Sequence, residues 1–163
     1  MDKNEVIFYT DGGCSGNPGP GGFGVVGFDN DKILYTYSEY CDNTTNNREE
    51  LKAILHALKT AEGSASRRPH IIYSDSSYCV NICNDWIWTW AAKGWVRSKG
   101  KKIENLDLIQ EIYNIINFAD FEYEIKKCKG HQEVIGNELA DALCTDNINK
   151  FNKIIKDNNI EKL

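Results

Sequence analysis

Four carboxylates stand where they could do chemistry together. Asp11 follows the β-branched and aromatic run Val6–Thr10, and Asp75 closes the short segment that begins with the apolar residues Ile71, Ile72 and Tyr73. Such runs read as strands, and in open α/β sheets sites form outside the carboxyl ends of strands. Alone, either aspartate reads as a turn or helix-capping residue. On strands lying side by side, their charges repel, and a divalent cation is the usual remedy. Glu50 is the third. Helical spacing places it on one stripe with Ile54, Ala57, Leu58 and Ala61, whereas Glu49 shares with Lys52, His56 and Lys59 a face expected to be solvated. A glutamate at the mouth of an apolar stripe needs a partner, either Arg or Lys or a metal ion, because burying a lone charge is costly. Asp141 is the fourth, at i+4 from Asn137 and i+3 from Glu138, so the three share one side of a helix. By themselves those three read as a solvated polar face. An oxygen donor set in a chain with 3 histidines selects Mg²⁺ or Mn²⁺ over zinc. Two such ions about 3.5–4 Å apart are a standard device for in-line phosphodiester cleavage.

These residues need a frame, and 163 residues, 41% of them hydrophobic and 26% charged, suffice for one core-forming domain. After Val6–Thr10 comes a loop rich in glycine and proline, then two further strands at Phe23–Phe28 and Ile33–Tyr40, joined by the turn Asp29-Asn30-Asp31. The three form an antiparallel meander. Thr44-Thr45-Asn46-Asn47 offers helix caps, and Leu51, Ile54, Leu55 and Leu58 mark the helix that follows. A strand ends near Asp75; Ser76–Trp90 reads as helical, in one piece or two, and Ala91–Lys102 as irregular and basic. Leu106, Ile109, Ile112, Tyr113 and Ile116 mark another helix, Phe121–Lys127 a strand, and Gly136–Cys144 a last helix that either continues past Ile148 or meets a second one. Strands separated by helices add in parallel, giving a five-stranded mixed α/β sheet with helices on its faces. The domain is expected to span residues 1–156, with 157–163 frayed.

The formal net charge of −5 argues at first against nucleic acid, whose phosphates attract Lys and Arg. The charge is unevenly spread, however. Ala91–Lys102 (AAKGWVRSKGKK) holds Lys93, Arg97, Lys99, Lys101 and Lys102 with no acid, and the four candidate ligands supply part of the remaining negative charge. No run reaches the roughly 20 apolar residues of a membrane span, and the start lacks a signal-peptide pattern. The 6 cysteines include no CxxC pair, so they read as reduced thiols, with Cys79 and Cys83 as small core residues on one helix face. The expected setting is the cytoplasm, or the nucleus in a eukaryote.

Four segments together resemble the motifs of type 1 ribonuclease H: YTDGGCSGNPGPGG from Tyr9, TTNNREEL from Thr44, YSDSSYC from Tyr73 and KGHQEVIGNELAD from Lys129. The resemblance covers roughly residues 5–147, in family order, and four motifs at compatible spacing are far more specific than one. It implies the ribonuclease H fold and cleavage of the RNA strand of RNA–DNA hybrids, leaving 5′-phosphate and 3′-hydroxyl ends. It assigns the metal ligands to Asp11, Glu50, Asp75 and Asp141, which would hold two Mg²⁺ with substrate, Mn²⁺ substituting. His131, in a loop expected at Gly130–Gly136, takes the place of a histidine that assists proton transfer or product release, and Glu138 that of a secondary acidic residue. By the same resemblance Gly12, Gly13 and Cys14 present main-chain groups to RNA, Asn17, Asn46 and Asn47 straddle both strands, and Thr45 touches a DNA phosphate. Ser77 departs from the Gln common in bacterial relatives. Ala91–Lys102 resembles a basic protrusion that grips DNA, with Trp95 the indole expected to face a DNA sugar; Ala91 and Ala92 replace lysines common there. The chain is expected to act as a monomer without an obligate protein partner. Alternatives are a non-catalytic hybrid-binding module of the same fold and a related DNA nuclease.

Overall fold

The computed structural model describes residues 4–129 and 131–163, with the side chains of His131 and Gln132 excepted. Its sheet has six strands: β1 (Val6–Cys14), β2 (Gly19–Asp29), β3 (Lys32–Thr44), β4 (His70–Ser74), β5 (Tyr123–Lys127) and β6 (Glu161–Lys162), in the order β5-β4-β1-β2-β3-β6. The first three form the antiparallel meander, and β4 and β5 add in parallel beside β1. The sixth strand corrects the expectation of a frayed tail. Residues 161–162 pair in parallel with Lys32 and Ile33, the Leu163 amide donates to the Ile33 carbonyl, and Lys32 bridges Glu161 at 3.2 Å.

Strand alternation divides the core in two. Val6 and Phe8 of β1 face one layer, built with α1 (Asn46–Glu62) and α4 (Leu106–Asn117) through Leu51, Ile54, Leu58, Ile109 and Ile112. Ile7 and Tyr9 face the other, built with α5 (His131–Cys144) and α6 (Ile148–Asp157) through Leu139, Ala140, Phe151 and Ile154. The segment after β4 is helical in three pieces: α2 (Ser77–Asn81), a π-turn (Ile82–Trp86) and α3 (Ile87–Ala92). Cys79 and Cys83 are buried in it, as their spacing implied. The last helix starts at His131, earlier than Gly136, so the expected loop is helical from residue 131; Gly130 lies outside the described residues. A second helix, α6, follows it. No helix among the described residues is long and apolar enough to cross a membrane.

Two register details position the site. The parallel pairing of β1 with β4 stops at Thr10 and Ser74, so Asp11 and Asp75 are each the first residue past the last rung. Asp11 nevertheless lies within β1, which runs on to Cys14, because antiparallel pairing with β2 continues beyond the point where β4 ends. The second detail is a close approach. A Cβ at Gly24 of β2 would lie 2.4 Å from the Ala140 carbonyl oxygen and 2.7 Å from the Cys144 amide nitrogen. Only glycine lets α5, and Asp141 on it, come this near the sheet. Gly24→Val is expected to cost about 1–3 kcal/mol through overpacking, read as a lowered midpoint of thermal unfolding followed by circular dichroism.

Candidate active site

Three elements converge on one point. β1 brings Asp11, the end of β4 brings Asp75, and the start of the second turn of α1 brings Glu50; one oxygen from each lies within 4.8 Å of the others. Asp11 and Glu50 are buried while Asp75 is exposed, so the group opens to solvent on one side. Thr45 starts α1: its side chain accepts from the Arg48 amide. Glu50 then points inward because Leu51, Ile54 and Leu58 are buried on the same helix. Its partners in the structure carry no positive charge. Oε1 accepts from the Gly12 amide at 3.0 Å and Oε2 from the Ser74 hydroxyl at 3.2 Å, with Asp11 alongside. No Arg or Lys neutralises it among the described residues. A Cβ at Gly12 would sit 2.3 Å from the Glu49 carbonyl carbon, so only glycine lets β1 press close enough to α1 for that amide bond.

The electrostatics follow from crowding. Burial first, and then the neighbouring Glu50 carboxylate, hold the Asp11 carboxyl well above the usual carboxylate range. Burial likewise raises Glu50, and its hydrogen bonds offset only part of this. Asp141 differs. Burial pushes it up, but the Lys150 ammonium 2.6 Å away and the neighbouring Asp11 carboxyl together hold it below the ordinary value. Asp141 stands near enough to Asp11 for each carboxyl to shift the other's protonation. Three of the four expected ligands thus form one group, and the fourth stands beside Asp11, tethered by a lysine. The donor set is all oxygen and mutually repulsive, which suits a hard divalent cation.

Asn137, one turn before Asp141, donates its amide to Asp75 Oδ2 at 3.4 Å, while Glu138 is exposed. Sequence spacing placed Asn137 and Glu138 on a shared side without showing which reaches Asp75. The His131 side chain lies outside the described residues. Glu49 overturns the expectation of a solvated face: it is 1% exposed, accepting from Thr44 Oγ1 at 2.8 Å and from Lys52 at 2.9 Å. The reason is that β3 ends at Thr44, directly before the α1 cap, and folds its last residue over the helix's first turn.

Next to the carboxylates, Cys14, Asn17 and Asn46 form one hydrogen-bonded unit. The Cys14 amide donates to Asn46 Oδ1 and the Asn46 amide to Asn17 Oδ1, each at 2.9 Å. Gly13 sits against the Asn46 side chain, and Asn47 is exposed in the next position of α1. Ser77 is exposed, and its hydroxyl accepts from Lys127 at 2.6 Å. Farther along, Lys93, Arg97, Lys99, Lys101 and Lys102 are all exposed. Trp95 is half-buried, edge-on to Tyr113 at 5.1 Å, so packing occupies part of its surface. Trp86 is the more open indole, 54% exposed and stacked on Trp90. Tyr78, Trp86, Trp90, Lys93 and Arg97 line a cleft of about 370 Å³.

Comparison with known proteins agrees with this geometry. The RNase H family model matches residues 3–149. A ribonuclease H of Caldanaerobacter subterraneus subsp. tengcongensis is 40% identical over 161 residues, spanning 93% of this chain and 97% of the relative. Among solved structures, LC9-RNase H1, a type 1 RNase H with the type 2 active-site motif, superposes with TM-score 0.73 at 30% identity, covering 90% of this chain and 72% of that one. A foamy viral protease-reverse transcriptase in complex with RNA/DNA hybrid superposes with TM-score 0.74 at 24% identity; 90% of this chain matches 20% of that longer one, a likeness of fold.

The crowding makes a prediction about the metal-free protein. A carboxyl whose value is raised in the folded state stabilises the fold at low pH, and that contribution is lost as pH rises through the folded value. Asp11→Asn removes the repulsion and offers amide hydrogens to its neighbours. In EDTA it is expected to raise stability near pH 8 by about 1–3 kcal/mol, with the gain shrinking toward about pH 5, because the native carboxyl, pushed up to about 10, takes up a proton on folding and that uptake costs less at lower pH. Thermal unfolding midpoints across that range check the sign.

Proposed function

The chain belongs to the RNase H family, and from that premise we propose that it is an endoribonuclease hydrolysing the RNA strand of RNA–DNA hybrids, using two divalent cations and leaving 5′-phosphate and 3′-hydroxyl ends. One observation carries the reading: Asp11, Glu50 and Asp75 bring oxygens within 4.8 Å of one another, with no Arg or Lys on Glu50 among the described residues. Asp11, Glu50, Asp75 and Asp141 would hold the ions, Mg²⁺ by preference with Mn²⁺ as substitute. When bound, such ions supply Lewis acidity to the attacking water and to the leaving 3′ oxygen.

The chain's own groups do the positioning. The Gly12 amide and the Ser74 hydroxyl fix both oxygens of Glu50, and the Asn137 amide fixes Asp75, so these two carboxylates are oriented before substrate arrives. His131 is proposed to move a proton at the reacting water or assist product release, and Glu138 to contribute a secondary acidic charge. Hybrid recognition needs neutral donors and acceptors along a minor groove that shows 2′-hydroxyls on one strand only. The interlocked Cys14, Asn17 and Asn46, with Gly12, Gly13, Thr45 and Asn47 beside them, present such groups. Ser77, paired with Lys127, is assigned to the same surface. Lys93, Arg97, Lys99, Lys101 and Lys102 are proposed to take the DNA backbone. Trp86 is better exposed than Trp95 to stack on its sugars.

The test incubates the protein with labelled RNA–DNA hybrid, RNA duplex and DNA duplex, in Mg²⁺ or EDTA. Cutting confined to the hybrid's RNA, and lost in EDTA, is expected. Asp75→Asn is expected to lower the rate by about 10²-fold or more, the scale of removing a group that stabilises the transition state. Tight binding without metal-dependent cutting points to the binding module, and cut DNA to the DNA nuclease. A salt titration checks the basic segment: KM is expected to rise with salt, and Arg97→Ala or Lys99→Ala each to reduce the log–log slope by about one.

A further inference from the structure

The carboxylate group already has a cation beside it, and the chain supplies it. Lys150 Nζ lies 2.6 Å from Asp141 Oδ2, nine residues away and on a different helix. The lysine is built into that place. Asp146 takes a left-handed conformation (φ 54°), which turns the chain sharply between α5 and α6. The Asn147 amide donates to the Ala142 carbonyl at 2.8 Å, and the Asn147 side chain caps α6 by accepting from the Lys150 amide at 3.0 Å. Phe151, the next residue, and Ile154 are buried in the layer shared with Leu139 and Ala140 of α5. The Lys150 backbone is thereby fixed, while its side chain and that of Asp141 remain 39% and 40% exposed, open to an arriving ion.

The geometry around Asp141 shows the effect. Oxygens of Asp11, Glu50 and Asp75 meet within 4.8 Å, and Asp141 is outside that group, beside Asp11 and paired with Lys150. We infer that Lys150 is a positioning residue, the resident counter-cation of Asp141, and that a divalent ion recruited to Asp141 must compete with it. The inference rests on the metal-dependent reading above. The ammonium relieves repulsion in the metal-free protein, and it opposes binding of an ion by occupying one Asp141 oxygen and by adding positive charge beside the ion.

The test is calorimetric titration of Mn²⁺ into the substrate-free protein, with wild type, Lys150→Met and Lys150→Arg. Lys150→Met is expected to bind Mn²⁺ about two- to five-fold more tightly, the ratio one half-exposed ion pair can supply, and Lys150→Arg to stay near wild type. Thermal unfolding separates this role from a merely structural one. Lys150→Met is expected to melt below wild type in EDTA and to regain the difference in saturating Mn²⁺, whereas loss of a structural contact would lower both midpoints equally. Equal or weaker Mn²⁺ affinity in Lys150→Met, or an equal deficit with and without metal, overturns the inference. Tighter binding supports it even with hybrid left uncut, a result that would overturn the proposed function instead.

Discussion

The repulsion among Asp11, Glu50 and Asp75 is the constraint around which the rest is arranged. Like charges this close do not assemble by themselves, so something else must hold the backbones that carry them. Here it is the two apolar layers. Leu51, Ile54 and Leu58 seat α1, and Phe8 and Ile72 seat β1 and β4, all of them buried in one layer. The site is thus a local conflict enforced by a favourable core. Polar groups at its border, the Gly12 amide and the Ser74 hydroxyl, orient the charges without cancelling them.

The sheet's mixed topology gives the conflict its location. Where β4 stops and β1 continues, one strand end and one strand interior lie side by side, and an aspartate is placed at each. α1 reaches the same place because β3 runs straight into its cap. α5 reaches it because Gly24 leaves no side chain in its way. Each approach is a backbone property, which is why the carboxylates need so few direct side-chain supports.

Much of this was legible from residue types and spacing. Asp11 and Asp75 were marked by the strands before them, and Glu50 by the apolar stripe it shares; the structure brings these three together. Glu49 was misread because helical periodicity reports which way a residue faces its helix, not what a preceding strand folds over it. Here Thr44 covers it. Lys150 left no signal, since its contact with Asp141 depends on a turn between two helices whose angle no periodicity encodes. The exposures of Trp86 and Trp95 were equally hidden, because four nearby indoles offer the same pattern and Tyr113, from another helix, packs edge-on against Trp88 and Trp95 but not Trp86. The sixth strand escaped for a related reason: two residues make too short a run to show alternation.

That short strand has a consequence for how the protein meets copies of itself. A sheet edge with free amides and carbonyls is a template for another chain. On one side β6 occupies the start of the β3 edge, and its paired charges, Lys32 with Glu161, replace a bare backbone with an ionic one. On the other side the edge strand β5 alternates a single buried Ile125 with exposed Glu124, Lys126 and Lys127, so an incoming strand would have to strip water from charges on both flanks. The same six-stranded arrangement that assembles a crowded site therefore also ends the sheet at its own boundaries.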